Sequence, residues 1–241
     1  MSANADPGRE RESSLLSSAV FFDFSGTLDA DGIPAGVRYF RAYRAAGGSL
    51  PYGTFAPLYR ISEQRLASQP AMRGGGFRAA IEAQAQALLI QQGVTDGARV
   101  NAVALARIFH DEAVAVVARN RPVLDRLAST LRLGVVASAP GNLRACLAEL
   151  GILSVFSAVI DAAELGFERP CARLFATALA ALGVRPDAAW MVGDDPDADV
   201  RVAASLGLKT CWIAPPDREA PSGVVPTVRI ERLADLERLG G

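Results

Sequence analysis

The stretch "VFFDFSGTLDADG", residues 20–32, decides how this chain is read. A short apolar run ends on Asp23, a turn of Ser25, Gly26 and Thr27 follows, and Asp29 and Asp31 come after it. An apolar run of this length, bounded by turn residues, reads as a buried strand. The acid at its end is then a carboxylate delivered to the edge of a sheet, where chemistry is done.

Outward from that strand, the second half of the chain repeats its character. "LRLGVVA" (131–137), "FSAVID" (156–161), "AWMVG" (189–193) and "LKTCWI" (208–213) read as strands beside "AVFFDF" (19–24). Between them, "NLRACLAELG", "CARLFATALAALG" and "DADVRVAASLG" have helical spacing and close on glycine. Strand and helix in alternation predict an α/β fold, a parallel Rossmann-like sheet with helices on both faces. Residues 34–117 break the alternation. "AGVRYFRAYRAAGG", "TFAPLYRISEQRLAS", "GFRAAIEAQAQALLIQQG" and "VNAVALARIFHDEAVAVVARN" are four helical patterns with breaks at Gly47-Gly48, "QPAMRGGG" and "GVTDGA". The expected organisation is a loose N-terminal arm over 1–17, an α/β core over 18–33 and 118–241, and an all-helical insert over 34–117.

Composition narrows the function. The chain has 241 residues, half of them hydrophobic, which is enough for a large core. A formal charge of −1 gives no electrostatic case for nucleic acid or an anionic membrane. No apolar run reaches membrane-spanning length, and the polar start "MSANADPGRERESS" has no signal-peptide core, so a cytoplasmic protein is expected. Cys146, Cys171 and Cys211 are widely spaced and read as reduced core thiols. The single histidine, His110, reads as a helix-surface residue, and Lys209 is the only lysine.

In open parallel sheets, ligands bind outside the carboxyl ends of the strands. Asp23, Ser138 and Asp194 all stand at such ends, and "GDDPDADV" adds Asp195, Asp197 and Asp199. Several carboxylates brought together repel one another unless a cation screens them. Hard oxygen donors suit Mg²⁺. Taken alone, the acids of the 193–200 loop read equally well as helix caps; with Asp23 beside them the metal reading is favoured.

Four segments in order resemble the motifs of the haloacid dehalogenase superfamily of hydrolases, in its helical-cap branch. "FFDFSGTLD" is similar to the first motif, "LRLGVVASAPGNL" to the second, "AAELGFERPCARLF" to the third with arginine for lysine, and "WMVGDDPDADVRVAASLGLKT" to the fourth. The resemblance implies that Asp23 is the nucleophile and forms an aspartyl-phosphate, with Thr27 and Ser138 in the phosphate cradle. It implies that Arg169 shields the anionic substrate. It implies Mg²⁺ held by Asp23, the Ser25 carbonyl and Asp194, with Asp199 orienting metal-bound water or Arg169 from behind. The helical insert then corresponds to the cap, and the partner is a small phosphorylated metabolite.

Two positions depart from the pattern. The superfamily's second aspartate, which shuttles protons, is Ser25 here; a hydroxyl cannot replace a carboxyl in that role. Ungapped alignment of the second motif puts Ala137 at the hydroxyl position, with Ser138 one place later. The readings left open are a phosphatase, slow or drawing an acid from Asp29, Asp31 or the substrate; a regulatory pseudo-phosphatase that keeps the pocket; and a metal-free haloacid dehalogenase. Phosphonate cleavage through a cap lysine is disfavoured, because Lys209 lies in the core segment.

Overall fold

The computed structural model of the protein describes residues 19–67, 69, 72–92, 100–167 and 170–239. The N-terminal arm expected over 1–17 and the shielding residue Arg169 lie outside the described residues. Six strands form one sheet: β1 Ala19–Phe22, β2 Arg132–Ala137, β3 Ala158–Asp161, β4 Ala189–Gly193, β5 Lys209–Ile213 and β6 Val228–Ile230. Their order is β3-β2-β1-β4-β5-β6 and every pairing is parallel. From β1 the chain steps outward to β2 and β3, then returns to the other side of β1 as β4. The reversal opens a crevice at the carboxyl ends of β1 and β4. Five of the strands match the apolar runs of the sequence, and β6 adds a three-residue edge.

Among the described residues, four α-helices lie between β1 and β2: α1 Ala35–Ala45, α2 Tyr52–Ala67, α3 Phe77–Gln92 and α4 Ala102–Ala128. No strand lies among the described residues of that insert. The last helix does not stop near 117. It starts where the Asn101 side chain accepts from Val103 N at 2.8 Å and runs 27 residues, through Pro122, into the core. The proline forfeits one backbone bond, but Val123 and Leu124 beyond it are buried and keep the helix going. The core helices are α5 Leu143–Glu149, α6 Ala172–Leu182 and the short α7 Val202–Ser205.

Side-chain alternation along β1 divides the interior. Val20 and Phe22 join a cluster that runs continuously into the helical insert through Tyr39, Phe55 and Phe109. Ala19 and Phe21 face the other way, onto Leu174 and Phe175 of α6. Insert and core thus share one apolar interior on the α4 side of the sheet. Among the described residues no helix is long and apolar enough to cross a membrane. Cys146 and Cys211 are buried free thiols and Cys171 is half-buried, also free.

His110 departs from its expected surface position. It is buried on α4, which packs on two sides: Phe77 and Arg78 come from α3 and Glu149 from α5.

Candidate active site

Asp23 leaves β1 with its backbone N–H donating to the Val192 carbonyl of β4 at 2.9 Å, so the acid is fixed where the two strands meet. Gly193 ends β4 and Asp194 follows it; the wide turn Pro196–Arg201 then brings back Asp199. One carboxylate oxygen from each of Asp23, Asp194 and Asp199 lies within 4.8 Å of the others, and all three residues are buried. Two glycines make room for this. At Gly26 the backbone turns left-handed (φ 96°), and a Cβ there would lie 2.5 Å from Asp194 Oδ1. A Cβ on Gly193 would lie 2.1 Å from Asp199 Oδ2. Gly26→Ala is therefore expected to cost roughly 1–2 kcal/mol from the backbone alone, and to weaken metal binding by displacing Asp194. Urea denaturation and calorimetric Mg²⁺ titration check the two effects.

The electrostatics follow from crowding. Burial, and then the neighbouring Asp23 charge, push the Asp194 carboxyl up to about 7, while Arg218 pulls the other way. Arg218 Nη1 stands 3.6 Å from Asp194 Oδ2, and Trp212 Nε1 donates to the Asp194 carbonyl at 3.0 Å. Thr27 Oγ1 donates to Asp194 Oδ1 at 3.4 Å. Asp199 Oδ2 accepts from the Asp195 backbone at 3.1 Å. Asp195 spends its own Oδ1 on the N–H groups of Asp197 and Ala198, both at 2.9 Å, and Asp197 pairs with Arg201, so neither joins the cluster. Three buried carboxylates with oxygens this close fit a hard divalent cation, and the all-oxygen donor set suits Mg²⁺.

Over the acids lies a cavity of about 830 Å³. Asp23, Ser25, Ser138 and Asp194 line it from the core, and Tyr39, Tyr59 and Phe77 from the insert. Ser25 is exposed to this space, as is Ser138 just past the end of β2. Ala137 is the last strand residue, paired in register with Asp161. Asp161 in turn holds the following loop, accepting from Gly141 N at 3.0 Å and Leu143 N at 3.2 Å. Thr27, expected in the phosphate cradle, is instead fully buried and not among the residues lining the cavity, because the left-handed turn at Gly26 tucks it beneath the loop.

The two spare acids of the first motif are occupied. Asp29 accepts from Gly26 N at 2.8 Å and from Arg38 Nη1 at 2.7 Å, in a fully buried ion pair. Asp31 accepts from Arg119 at 2.5 Å, Asn120 Nδ2 at 2.8 Å and Leu233 N at 3.1 Å. The contacts of Arg38, Arg218 and Trp212 carry no sequence signature; each depends on segments that only the fold brings together. Lys209 starts β5 at the end of the sheet away from the acids, with Nζ 5.6 Å from the Trp190 ring.

Comparison with known proteins agrees with this fold. Residues 18–207 match the family model described as haloacid dehalogenase-like hydrolase. Over 223 residues the chain is 26% identical to the pyrimidine 5'-nucleotidase YjjG of Escherichia coli, covering 91% of this chain and 87% of that protein. A 90-residue segment is 39% identical to a phosphoserine phosphatase of Thermus thermophilus, 36% of this chain and 34% of the other. A solved 2-haloacid dehalogenase from Pseudomonas syringae is 26% identical with a TM-score of 0.53, covering 92% of this chain and 97% of that one. With its matching model, its parallel sheet and its paired strand-end acids, the chain belongs to the haloacid dehalogenase-like hydrolase family.

Proposed function

We propose that the protein is a Mg²⁺-dependent phosphatase that hydrolyses a small phosphorylated metabolite through an aspartyl-phosphate on Asp23. The observation that carries this reading is the convergence of Asp23, Asp194 and Asp199 beneath the cavity. Displacing a halide from carbon uses a nucleophilic carboxylate and requires no cation at its side. Phosphoryl transfer needs the extra acids, because they recruit a cation to the reacting oxygens. Relatives described as a nucleotidase and a phosphoserine phosphatase support hydrolysis of phosphate esters. The helices over 34–117 act as the cap.

In the first step the Asp23 carboxylate attacks phosphorus; the new O–P bond forms as the ester P–O bond breaks and the alcohol oxygen leaves. In the second, water attacks the aspartyl-phosphate, releasing phosphate and restoring Asp23. Asp23, Asp194, Asp199 and the Ser25 carbonyl would hold Mg²⁺, which when bound neutralises charge on the transferring group. Thr27 steadies Asp194 through its hydroxyl. Ser25 cannot supply the leaving-group proton, and Asp29 and Asp31 are held in hydrogen bonds elsewhere, so water delivers it.

Hydrolysis of 4-nitrophenyl phosphate with Mg²⁺ and with EDTA tests the reading. Turnover that disappears with EDTA and returns with Mg²⁺ supports it; no turnover with metal, or turnover of L-2-chloropropionate instead, overturns it. Ser25→Asp is expected to raise kcat/KM on an alkyl phosphate by about 10²-fold. The gain on an aryl phosphate, whose leaving group needs little protonation, is expected to be much smaller.

A further inference from the structure

The cavity has a second end, walled by α2 and α3, and its polar groups are oxygen acceptors. Glu63 on α2 lines it, with Oε1 accepting from Tyr59 Oη at 3.0 Å. Burial pushes the Glu63 carboxyl up, against the opposing pull of that hydrogen bond. Gln84 on α3 lines it too and is only 8% exposed. Its amide is oriented by chemistry. Ser62 Oγ gives its one proton to the Tyr59 carbonyl at 2.7 Å, so it can only accept from Gln84 Nε2, also at 2.7 Å. That leaves Gln84 Oε1 as an acceptor with no partner among the described residues. Asn142, nearer the core, follows the same pattern: Nδ2 donates to the Gly75 carbonyl at 3.1 Å and Oδ1 remains.

Cations are scarce at this end. Among the described lining residues Arg60 is the one basic side chain, and it is exposed at the rim, as is Glu63 three residues on. The Arg38 guanidinium is fully buried, pairs through Nη1 with Asp29 at 2.7 Å and through Nε with Glu112 at 3.3 Å, leaves Nη2 without a hydrogen-bond partner among the described residues, and is not among the residues lining the cavity. The aromatic surface is also taken: the Tyr39 ring packs on Phe109 at 4.1 Å and on Tyr59 at 5.2 Å between centroids.

We propose that Glu63 and Gln84 select the non-reacting part of the substrate, a phosphomonoester whose far end carries a hydrogen-bond-donating nitrogen, an ammonium or amino group, and no second anion. The proposal rests on the phosphatase reading for which end holds phosphate. A donor meets acceptors that otherwise lose water without compensation. A distal carboxylate or phosphate meets the like charge of Glu63 at the solvent-facing rim and the bare acceptor oxygen of buried Gln84 behind it.

The test uses ω-aminoalkyl and ω-carboxyalkyl phosphates of two to four carbons, titrated by calorimetry into the Mg²⁺-loaded full chain, with inorganic phosphate as the reference. At the best chain length the amino compound is expected to bind at least about tenfold more tightly than its carboxyl counterpart. Glu63→Lys reverses that order and Glu63→Gln flattens it, while inorganic phosphate binds all three proteins alike. Gln84→Leu reduces the amino preference several-fold. A wild-type preference for the carboxyl series, or a ratio unchanged in both Glu63 variants, overturns the proposal. Turnover of 4-nitrophenyl phosphate is measured alongside: its absence would count against the phosphatase reading, whereas the binding order tests Glu63 and Gln84 directly.

Discussion

Asp23→Asn is expected to lower phosphatase turnover by about 10⁴-fold or more while making the metal-free protein more stable, not less. Loss of the nucleophile removes the covalent route, and nucleophile deletions in covalent catalysis are worth at least that much. Stability moves the other way because Asp23 is one of three buried carboxylates whose oxygens lie within 4.8 Å of one another. Neutralising it relieves repulsion on Asp194, whose carboxyl is held high partly by the Asp23 charge. Thermal unfolding in EDTA reads the stability, and 4-nitrophenyl phosphate with Mg²⁺ reads the activity. Residual turnover above about one per cent of wild type would remove Asp23 from the nucleophile's role.

The second large effect is a pH dependence of metal binding. Folding raises the Asp194 carboxyl from 3.8 to about 7, with burial the first cause. An acid raised on folding stabilises the native state fully below its unfolded value, and that contribution is lost as pH rises through the folded value. The metal-free protein therefore loses stability from this group between about pH 4 and pH 7, and above pH 7 Asp194 is ionised. Mg²⁺ needs that ionised form, so its apparent affinity is expected to fall roughly tenfold per pH unit below 7, with a proton released on binding. Calorimetry in buffers of different ionisation enthalpy counts the proton. The rise in Tm on adding Mg²⁺ is expected to be larger at pH 8 than at pH 6, and Asp194→Asn is expected to abolish both the rise and its pH dependence. Equal rises at both pH values in the wild type would contradict the assignment.

The strands and the principal acids were legible in the sequence because each is written locally. β1 and β4 are apolar runs that end within one residue of Asp23 and Asp194, and the period of the side chains needs no knowledge of the rest. The extent of α4 was not legible. The insert is expected to end at 117, yet α4 runs on through Pro122, where burial of Val123 and Leu124 against the core outweighs the proline's cost. Thr27 could not be placed either, since its direction is set by the φ of Gly26 and not by motif spacing. The pairing of Arg218 with Asp194 joins a loop beyond β5 to the end of β4, and that of Arg38 with Asp29 crosses from insert to core. Such contacts follow from topology, and no pattern of residue types announces them.

The continuity of α4 also sets the mechanics of the insert. Of its two connections to the sheet, one is the short link that follows Asp29, and the other is an unbroken rod. Arg119 and Asn120 pin the rod to Asp31, and Arg126 pins it to Glu237. Such a rod acts as a lever with its fulcrum near Asn120. At 1.5 Å per residue its far end stands roughly 27 Å away, so a bend of about 10° carries that end by about 5 Å. Any opening of the insert would thereby be geared: a slight distortion at the fulcrum would become a displacement the width of a small molecule at the tip, carrying the wall bearing Glu63 and Gln84 with it.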